Sequence, residues 1–256
     1  MTRHFVVIGA QRCGTTYLHD QLAAHPGIAM ARPGRPEPKV FLSDDVVERG
    51  AEWYRRTWFA HADDAALLGE KSTSYIESPE AAARVRRTLG DARIVAQLRD
   101  PVGRAISNWK FSRGSGLEER PLAEALEQNL EGPLPWDPAR TSVSPYAYLE
   151  RGRYAAQLEP WLATFPDLVH VQFLEELVAH ADLIGTLYGW LGVDPDFRPD
   201  ALDEPVHESD VTAGQLDDDL RARLREYFEQ ADRELAALLG RELPWRVAAH
   251  MPEGTR

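Results

Sequence analysis

Cysteine is nearly absent from this sequence, because Cys13 is the only one among 256 residues. A lone cysteine cannot form an internal disulfide, and such scarcity is typical of proteins that work in a reducing compartment. We therefore predict a cytoplasmic location.

Long hydrophobic runs are also absent. No stretch approaches the roughly 18 consecutive apolar residues that a membrane-spanning helix requires, so we predict no membrane partner. The apolar residues 5–9 near the start are too few for the hydrophobic region of a signal peptide, and they predict a buried strand instead.

Positive charge is in deficit, since 29 lysines and arginines face 41 acidic residues and the net charge is −12. Nonspecific nucleic-acid binding needs a basic surface, so we predict no nucleic-acid partner. The sequence also has no cluster of cysteines and histidines, and we predict no metal site. Arg12, Arg32, Arg35 and Lys39 nevertheless lie close together in the chain. In an acidic protein such a group indicates a site for an anionic ligand, although arginines on ordinary loops would give the same pattern.

Buried strands alternate with helices along the chain, as apolar runs and helical periodicity indicate. The predicted strands are 5–10, 28–30, 93–98 and 168–173, and the predicted helices are 15–24, 79–89, one that begins at Asp100 and Pro101, and 216–238. This alternation predicts an α/β fold, with a single domain over residues 1–256 and a central parallel sheet flanked by helices. Residues 114–144, which contain several prolines, are predicted to leave the core.

A glycine-rich loop joins the first predicted strand to the first helix. Gly9 and Gly14 are separated by four residues and followed by Thr15 and Thr16. Backbone N–H groups of such a loop surround a phosphate, and the positive end of the helix dipole faces the same anion. Nucleotide triphosphatases have lysine directly after the second glycine. Here that position is Thr15 and the loop cation is Arg12, so the loop suits a phosphate other than a magnesium-bound triphosphate.

Residues 11–16 (QRCGTT) resemble the 5′-phosphosulfate loop of sulfotransferases that use 3′-phosphoadenosine 5′-phosphosulfate (PAPS). The resemblance is strongest to the branch that contains the heparan sulfate sulfotransferases and bacterial relatives. Three further segments resemble motifs of that branch in the same order: 37–41 (EPKVF), 69–75 (GEKSTSY), and 98–101 (LRDP) running on to Arg104 and Ser107. The resemblance thus covers roughly residues 5–111.

The resemblance implies roles for individual residues. The acceptor's nucleophile would attack the sulfur of PAPS in line, Glu37 would take its proton as general base, and PAP would leave without a metal. Lys71 and Arg12 would stabilise the developing charge. The predicted donor-binding residues are Gln11, Arg12, Cys13, Gly14, Thr15 and Thr16 for the 5′-phosphosulfate, and Arg99 and Ser107 for the 3′-phosphate.

The sequence departs from the family pattern at several positions. Pro36 stands where many relatives have lysine, Lys39 where some have histidine, and Arg12 where lysine is usual. Residues 205–210 lack the basic residues that often close over the nucleotide.

We predict a small-molecule acceptor that offers a hydroxyl or amine, such as a small metabolite or a glycosylated natural product. Two alternatives use the same loop. One is a nucleotide-binding protein without catalysis, and the other is an ATP-dependent kinase of small molecules, which Thr15 in the lysine position disfavours.

Overall fold

The computed structural model describes residues 3–63, 66–137, 144–180, 182–199 and 216–248. The strands are β1 His4–Gly9, β2 Ile28–Met30, β3 Leu67–Lys71, β4 Arg93–Leu98 and β5 Val169–Phe173. The helices are α1 Thr15–Ala24, α2 Asp45–Trp58, α3 Pro79–Leu89, α4 Pro101–Gly114, α5 Leu122–Asn129, α6 Tyr154–Thr164, α7 Leu174–Ala179, α8 Leu183–Leu191, α9 Asp218–Leu239 and α10 Pro244–Ala248. Short 3-10 helices span Val40–Leu42, Tyr75–Glu77 and Glu150–Gly152.

The chain divides into two compact units. The first comprises Met1–Leu98 and Gln157–Val206, and the second comprises Arg99–Ala156 and His207–Arg256. That residues 1–256 form one sulfotransferase domain stays a prediction.

The first unit is built on a five-stranded sheet in the order β2-β3-β1-β4-β5, with every neighbouring pair parallel. Apolar side chains of β1, α1 and α8 form a buried cluster against it, among them Val7, Leu18 and Leu187. Parallel strands end at the same edge of a sheet, so β1 and β3, which are neighbours, both deliver their last residues there. The predicted α/β fold with a central parallel sheet flanked by helices is confirmed.

Every predicted strand and helix is found in the structure, whereas strand β3 and the helices α2, α5, α6, α7, α8 and α10 were not predicted. The predicted first and last strands are each displaced by one residue or less at either end, and the helices 15–24 and 79–89 are found at those positions. Strand β3 was not predicted, because Gly69, Glu70 and Lys71 make up more than half of it. Gly69 is needed there, since a Cβ at this position would overlap the Phe5 ring on β1.

The second unit packs α4, α5 and α9 around its own apolar cluster, which includes Trp109, Leu126 and Phe228. The prediction that residues 114–144 leave the core is therefore wrong for α5, whose Leu122 and Leu126 are buried. The helix is only eight residues long and Pro121 precedes it, so its periodicity is weak in the sequence. Asp100 caps α4 as predicted, because its carboxylate accepts a hydrogen bond from the Val102 N–H at 3.1 Å.

Within the described residues, no helix combines the length and the apolar character needed to cross a membrane.

Candidate active site

The glycine-rich loop connects the end of β1 to the start of α1 in the first unit. Arg12 and Gly14 have φ angles of 68° and 74°, in the left-handed region. Gly14 is required by its surroundings as well as its φ angle, because a Cβ there would lie 2.6 Å from the Leu174 side chain. The two left-handed residues thus make the tight turn by which the chain passes from β1 into α1.

A buried glutamine ties this loop to the sheet. Gln97 on β4 is fully buried, and its Nε2 donates a hydrogen bond to the Cys13 carbonyl at 2.6 Å. Its Oε1 accepts from Gln172 Nε2 on β5 at 2.8 Å, which fixes the orientation of the amide. In the adjacent turn the Ala10 N–H donates to the Gln97 carbonyl at 2.8 Å. The loop is therefore held from inside the fold.

The N-terminus of α1 is suited to an anion. Its first turn contains no acidic residue, and its cap residue is Gly14, which has no side chain that could cap the helix. The first N–H groups of a helix have no partner within the helix, and the dipole adds positive potential there. Arg12 contributes a cation in the same loop, so the residues present fit a 5′-phosphosulfate group.

Glu37 and Lys71 form a pair at the same edge of the sheet as the loop. Lys71 is the last residue of β3, and its Nζ donates to Glu37 Oε1 at 2.8 Å. The Thr73 N–H donates to Glu37 Oε2 at 3.0 Å, and its hydroxyl lies 3.2 and 3.1 Å from the two carboxylate oxygens. The exposed fractions are 8% for the Lys71 side chain and 16% for that of Glu37, so the pair is largely screened from solvent.

A cavity of about 270 Å³ opens beside this pair. Its lining joins the first turns of α1 to the last residue of β3, and the lining residues are Thr16, His19, Asp20, Gly34, Arg35 and Lys71. A second cavity of about 400 Å³ shares His19 and Gly34 with it and extends along the edge strand β2. Lys71 thus lines a cavity whose other lining residues include both an acidic side chain, Asp20, and a basic one, Arg35.

A second carboxylate, Glu70, lies directly before Lys71 and is fully buried. It accepts hydrogen bonds from the hydroxyls of Tyr54, Ser72 and Tyr75. Burial raises the pKa of Glu70, and these hydrogen bonds act in the opposite direction. Burial, followed by the charge of Glu70, raises the pKa of both tyrosines well above the ordinary value.

The structure brings the predicted loop residues 11–16 together with Glu37 and Lys71 in the first unit. Arg99 and Ser107 belong to the second unit. Arg99 directly follows β4, and its Nε would lie 3.3 Å from a Cβ on Gly103, so its side chain runs along the first turn of α4. Ser107 is half-buried on the same helix. The predicted late loop 205–210 lies outside the described residues.

Sequence reasoning missed Thr73, Gln97 and the partners of Glu70. Thr73 could have been found, because it lies two residues after Lys71 inside the segment 69–75 that resembles a family motif. Gln97 gives no such signal, because nothing in the sequence shows that a glutamine inside this apolar strand hydrogen-bonds to the loop after β1. In the described part of the chain no group of three or more metal-ligating side chains occurs, and the prediction that no metal is needed stays a prediction.

Comparison with known proteins places the chain among relatives of one type. The family model described as the sulfotransferase domain matches residues 2–167. The human heparan sulfate glucosamine 3-O-sulfotransferase 6 is 33% identical over 193 residues, which are 73% of this chain and 52% of that protein. The Caenorhabditis briggsae bifunctional heparan sulfate N-deacetylase/N-sulfotransferase 1 is 31% identical over 202 residues, covering 75% of this chain and 23% of the relative.

The chain thus spans between about a quarter and about half of the length of these curated relatives. Among solved structures, a sulfotransferase from Alicyclobacillus acidocaldarius superimposes with a TM-score of 0.77 at 28% identity, covering 96% of this chain and 99% of that one. The matched family segment is well over half of the chain and contains the loop, Glu37 and Lys71. This chain therefore belongs to the sulfotransferase family of enzymes.

Proposed function

We propose that this chain transfers a sulfuryl group from PAPS to a hydroxyl or amine of a small acceptor. One observation carries the proposal. Glu37 is held by Lys71 and Thr73 at the sheet edge where the phosphate-type loop begins. A carboxylate, a cation and an anion-binding loop at one edge are the groups that sulfuryl transfer needs.

The proposed reaction is a single displacement at sulfur. The acceptor oxygen or nitrogen forms a bond to sulfur while the bond from sulfur to the 5′-phosphate oxygen breaks, and Glu37 takes the acceptor's proton. In the structure three donor groups contact Glu37, namely Lys71 Nζ and the N–H and hydroxyl of Thr73. A carboxylate has about four lone-pair sites, so one remains for the acceptor's proton.

Fixed cations would stabilise the charge that shifts during the reaction. Lys71 is 8% exposed and hydrogen-bonded, so its ammonium is already oriented before substrates bind. Arg12, in the loop, would face the leaving 5′-phosphate, and the α1 dipole would act on the same group. We propose that these groups suffice without a metal. The assignment of Arg99 and Ser107 to the 3′-phosphate stays a prediction from the resemblance.

A small acceptor is favoured by the cavity beside Lys71. Its volume of about 270 Å³ suits part of a small molecule, and its lining offers His19, Asp20 and Arg35 as polar contacts. The net charge of −12 also disfavours a long polyanionic acceptor. Two relatives are named for heparan sulfate, so a glycan is the competing acceptor class. A cytoplasmic location remains the prediction from the single cysteine.

The experiment that tests the proposal is isothermal titration, without magnesium, of the protein with PAP and separately with ATP. We expect micromolar or tighter binding of PAP, much weaker binding of ATP, and loss of PAP binding in Arg99→Ala. Arg221→Ala is the matched control, because Arg221 is an exposed arginine on α9.

Each other result selects a different function. ATP binding as strong as PAP binding would contradict the 3′-phosphate assignment and favour a kinase. Tight PAP binding with no transfer from PAPS to any member of a broad panel of phenols, sugars and amines would instead indicate a nucleotide-binding protein without catalysis.

A further inference from the structure

A buried carboxylate with no role in the proposed reaction lies next to the catalytic lysine. Glu70 is fully buried, and its Oε1 accepts from the Ser72 hydroxyl at 2.8 Å and from the Tyr75 hydroxyl at 2.5 Å. Its Oε2 accepts from the Tyr54 hydroxyl at 2.6 Å. An ionised carboxylate only accepts hydrogen bonds, so it obliges all three hydroxyls to point their protons toward it.

Two of these hydroxyls also contact the segment that carries Glu37. The Lys39 N–H donates to Ser72 Oγ at 2.9 Å, and the Phe41 N–H donates to Tyr75 Oη at 3.2 Å. A hydroxyl has one proton and two lone pairs. Because each hydroxyl gives its proton to Glu70, its lone pairs are left for the backbone N–H groups of residues 39 and 41.

The segment that receives these contacts adopts a conformation that its own sequence does not favour. Lys39 has a φ of 53°, in the left-handed region that residues with a side chain rarely occupy. Such a conformation persists where surrounding contacts determine it. Glu37 lies two residues before Lys39, so the hydrogen bonds to the backbone at 39 and 41 fix the position from which its side chain reaches Lys71.

We propose that Glu70 is a positioning residue for the general base, acting through the hydroxyls of Ser72 and Tyr75 on the backbone of residues 39–41. The carboxylate of Glu37 is then held from two directions. Lys71 and Thr73 hold its side chain, and Glu70 holds its backbone through the two hydroxyls. This role rests on the proposed function, in which Glu37 is the base.

The two tyrosines that donate to Glu70 allow a variant and a matched control to be compared. Tyr75→Phe and Tyr54→Phe each remove one buried hydroxyl that donates to Glu70, and each keeps the aromatic ring. The Tyr75 hydroxyl also accepts from the Phe41 N–H, whereas the Tyr54 hydroxyl is bonded to the other carboxylate oxygen. A purely structural role of the network predicts similar effects of the two variants, whereas a positioning role predicts different ones.

We expect hydrogen exchange of the Phe41 amide to accelerate about tenfold in Tyr75→Phe and to change little in Tyr54→Phe. With PAPS and an accepted acceptor, kcat should fall by about 10- to 100-fold in Tyr75→Phe, with KM for the acceptor nearly unchanged. In Tyr54→Phe kcat should stay within about threefold of the parent value. Titration with PAP should give the same affinity for all three proteins, because the glycine-rich loop is intact.

Amide exchange is measured without substrate, so it tests the network whether or not transfer occurs. Equal exchange of the Phe41 amide in the two variants, or equal losses of kcat, would overturn the positioning role. A parent protein that binds PAP and transfers nothing would overturn the proposed function instead. If Tyr75→Phe does not fold, Ser72→Ala carries the same test through the Lys39 amide, with the same expected direction.

Discussion

At the scale of single residues, Glu37 has a hydrogen-bonding environment that a surface glutamate lacks. Its two oxygens are contacted by an ammonium, a backbone N–H and a hydroxyl, and it is only 16% exposed. These donors keep the carboxylate at one place and orient its remaining lone pair. Removing its charge while keeping its shape is therefore the most direct test of proton transfer.

We expect Glu37→Gln to lower kcat by about 100- to 10,000-fold, as loss of a general base does. PAP affinity should remain within about threefold, because the loop and α1 are unchanged. The measurement is steady-state transfer from PAPS alongside titration with PAP. Glu52→Gln on α2, whose side chain is 71% exposed, is the control and should match the parent. Full activity in Glu37→Gln would remove Glu37 from the role of base.

The candidate site residues come from the family resemblance and their roles stay predictions, whereas their buried partners were not predicted at all. Resemblance to a family motif was enough to single out Glu37 and Lys71, which the structure shows hydrogen-bonded. The contacts of Glu70 are different, because Tyr54 lies 16 positions away on another element and no local pattern links the two. Long-range hydrogen bonds depend on how the elements pack, and a single sequence carries little information about that.

At the scale of elements, the loop depends on strands that it does not belong to. Gln97 on β4 donates to the Cys13 carbonyl, and Gln172 on β5 orients Gln97. Because Gln97 contacts the loop directly and Gln172 contacts only Gln97, a substitution of Gln97 should disturb the loop more than a substitution of Gln172.

We expect Gln97→Leu to weaken PAP binding by about tenfold, because the Cys13 carbonyl loses its partner and the loop is less well ordered. Gln172→Leu is the matched substitution, since it leaves the bond from Gln97 to the loop in place, and its effect should be about threefold or less. Titration with PAP measures both. Equal losses in the two variants would show that the sheet as a whole, rather than this hydrogen bond, supports the loop.

The contact between α9 and α10 contains a carboxylate that titrates near neutral pH. Asp232 is 6% exposed and accepts from Trp245 Nε1 at 3.0 Å. Burial is the main cause that raises the pKa of Asp232 to about 6, against the opposing effect of this hydrogen bond. The folded state therefore binds the proton more tightly than the unfolded state. The contribution of Asp232 to the free energy of unfolding is full below its ordinary pKa of 3.8 and is lost as pH rises through about 6.

We expect Asp232→Asn to remove this dependence, because the amide keeps an oxygen for Trp245 and has no charge to bury. Urea unfolding followed by tryptophan fluorescence should show the variant gaining stability relative to the parent between about pH 4 and pH 7. The control is Asp219→Asn, an 84% exposed position on the same helix. A difference between variant and parent that stays constant over this range would contradict the raised pKa.

At the scale of the whole molecule, the acidic net charge and the local cations act in opposite directions on an anionic acceptor. The net charge is −12, while Arg35 and Lys71 line the cavity beside the proposed base. Long-range repulsion is screened by salt over roughly 10 Å at 0.1 M ionic strength, whereas contacts within a cavity are screened much less. Ionic strength therefore separates the two acceptor classes.

We expect kcat/KM for a small neutral acceptor to change by less than about twofold between low and moderate salt. For a heparan-type polyanion we expect kcat/KM to be low and to rise with salt, because screening weakens repulsion from the acidic surface. Initial rates at several salt concentrations, with PAPS saturating, make the comparison. A polyanion whose kcat/KM is high and falls with salt would show that a basic groove governs binding and that the acceptor is a glycan.

The α/β fold could be predicted from the sequence, whereas the division of the chain into two compact units was not predicted. Alternating apolar runs and helical periods were enough to predict a parallel α/β sheet, and the capping residue Asp100 predicted the start of α4. Among the elements that were not predicted, β3 is rich in polar residues and α5 is short. Both are defined by what they pack against, which is a property of the folded chain.

The segment 70–73 constrains how this sequence can change. Its side chains go alternately to the buried network, through Glu70 and Ser72, and to the proposed base, through Lys71 and Thr73. β3 ends at Lys71, and the alternation of the two sets continues through Ser72 into the turn at Thr73. Deleting one residue of β3 before Glu70 would shift this alternation by one position, placing the Lys71 ammonium on the core side and the Glu70 carboxylate on the side of the proposed base. We therefore expect a change of length by one residue at this point to disturb the buried network and the proposed base at once.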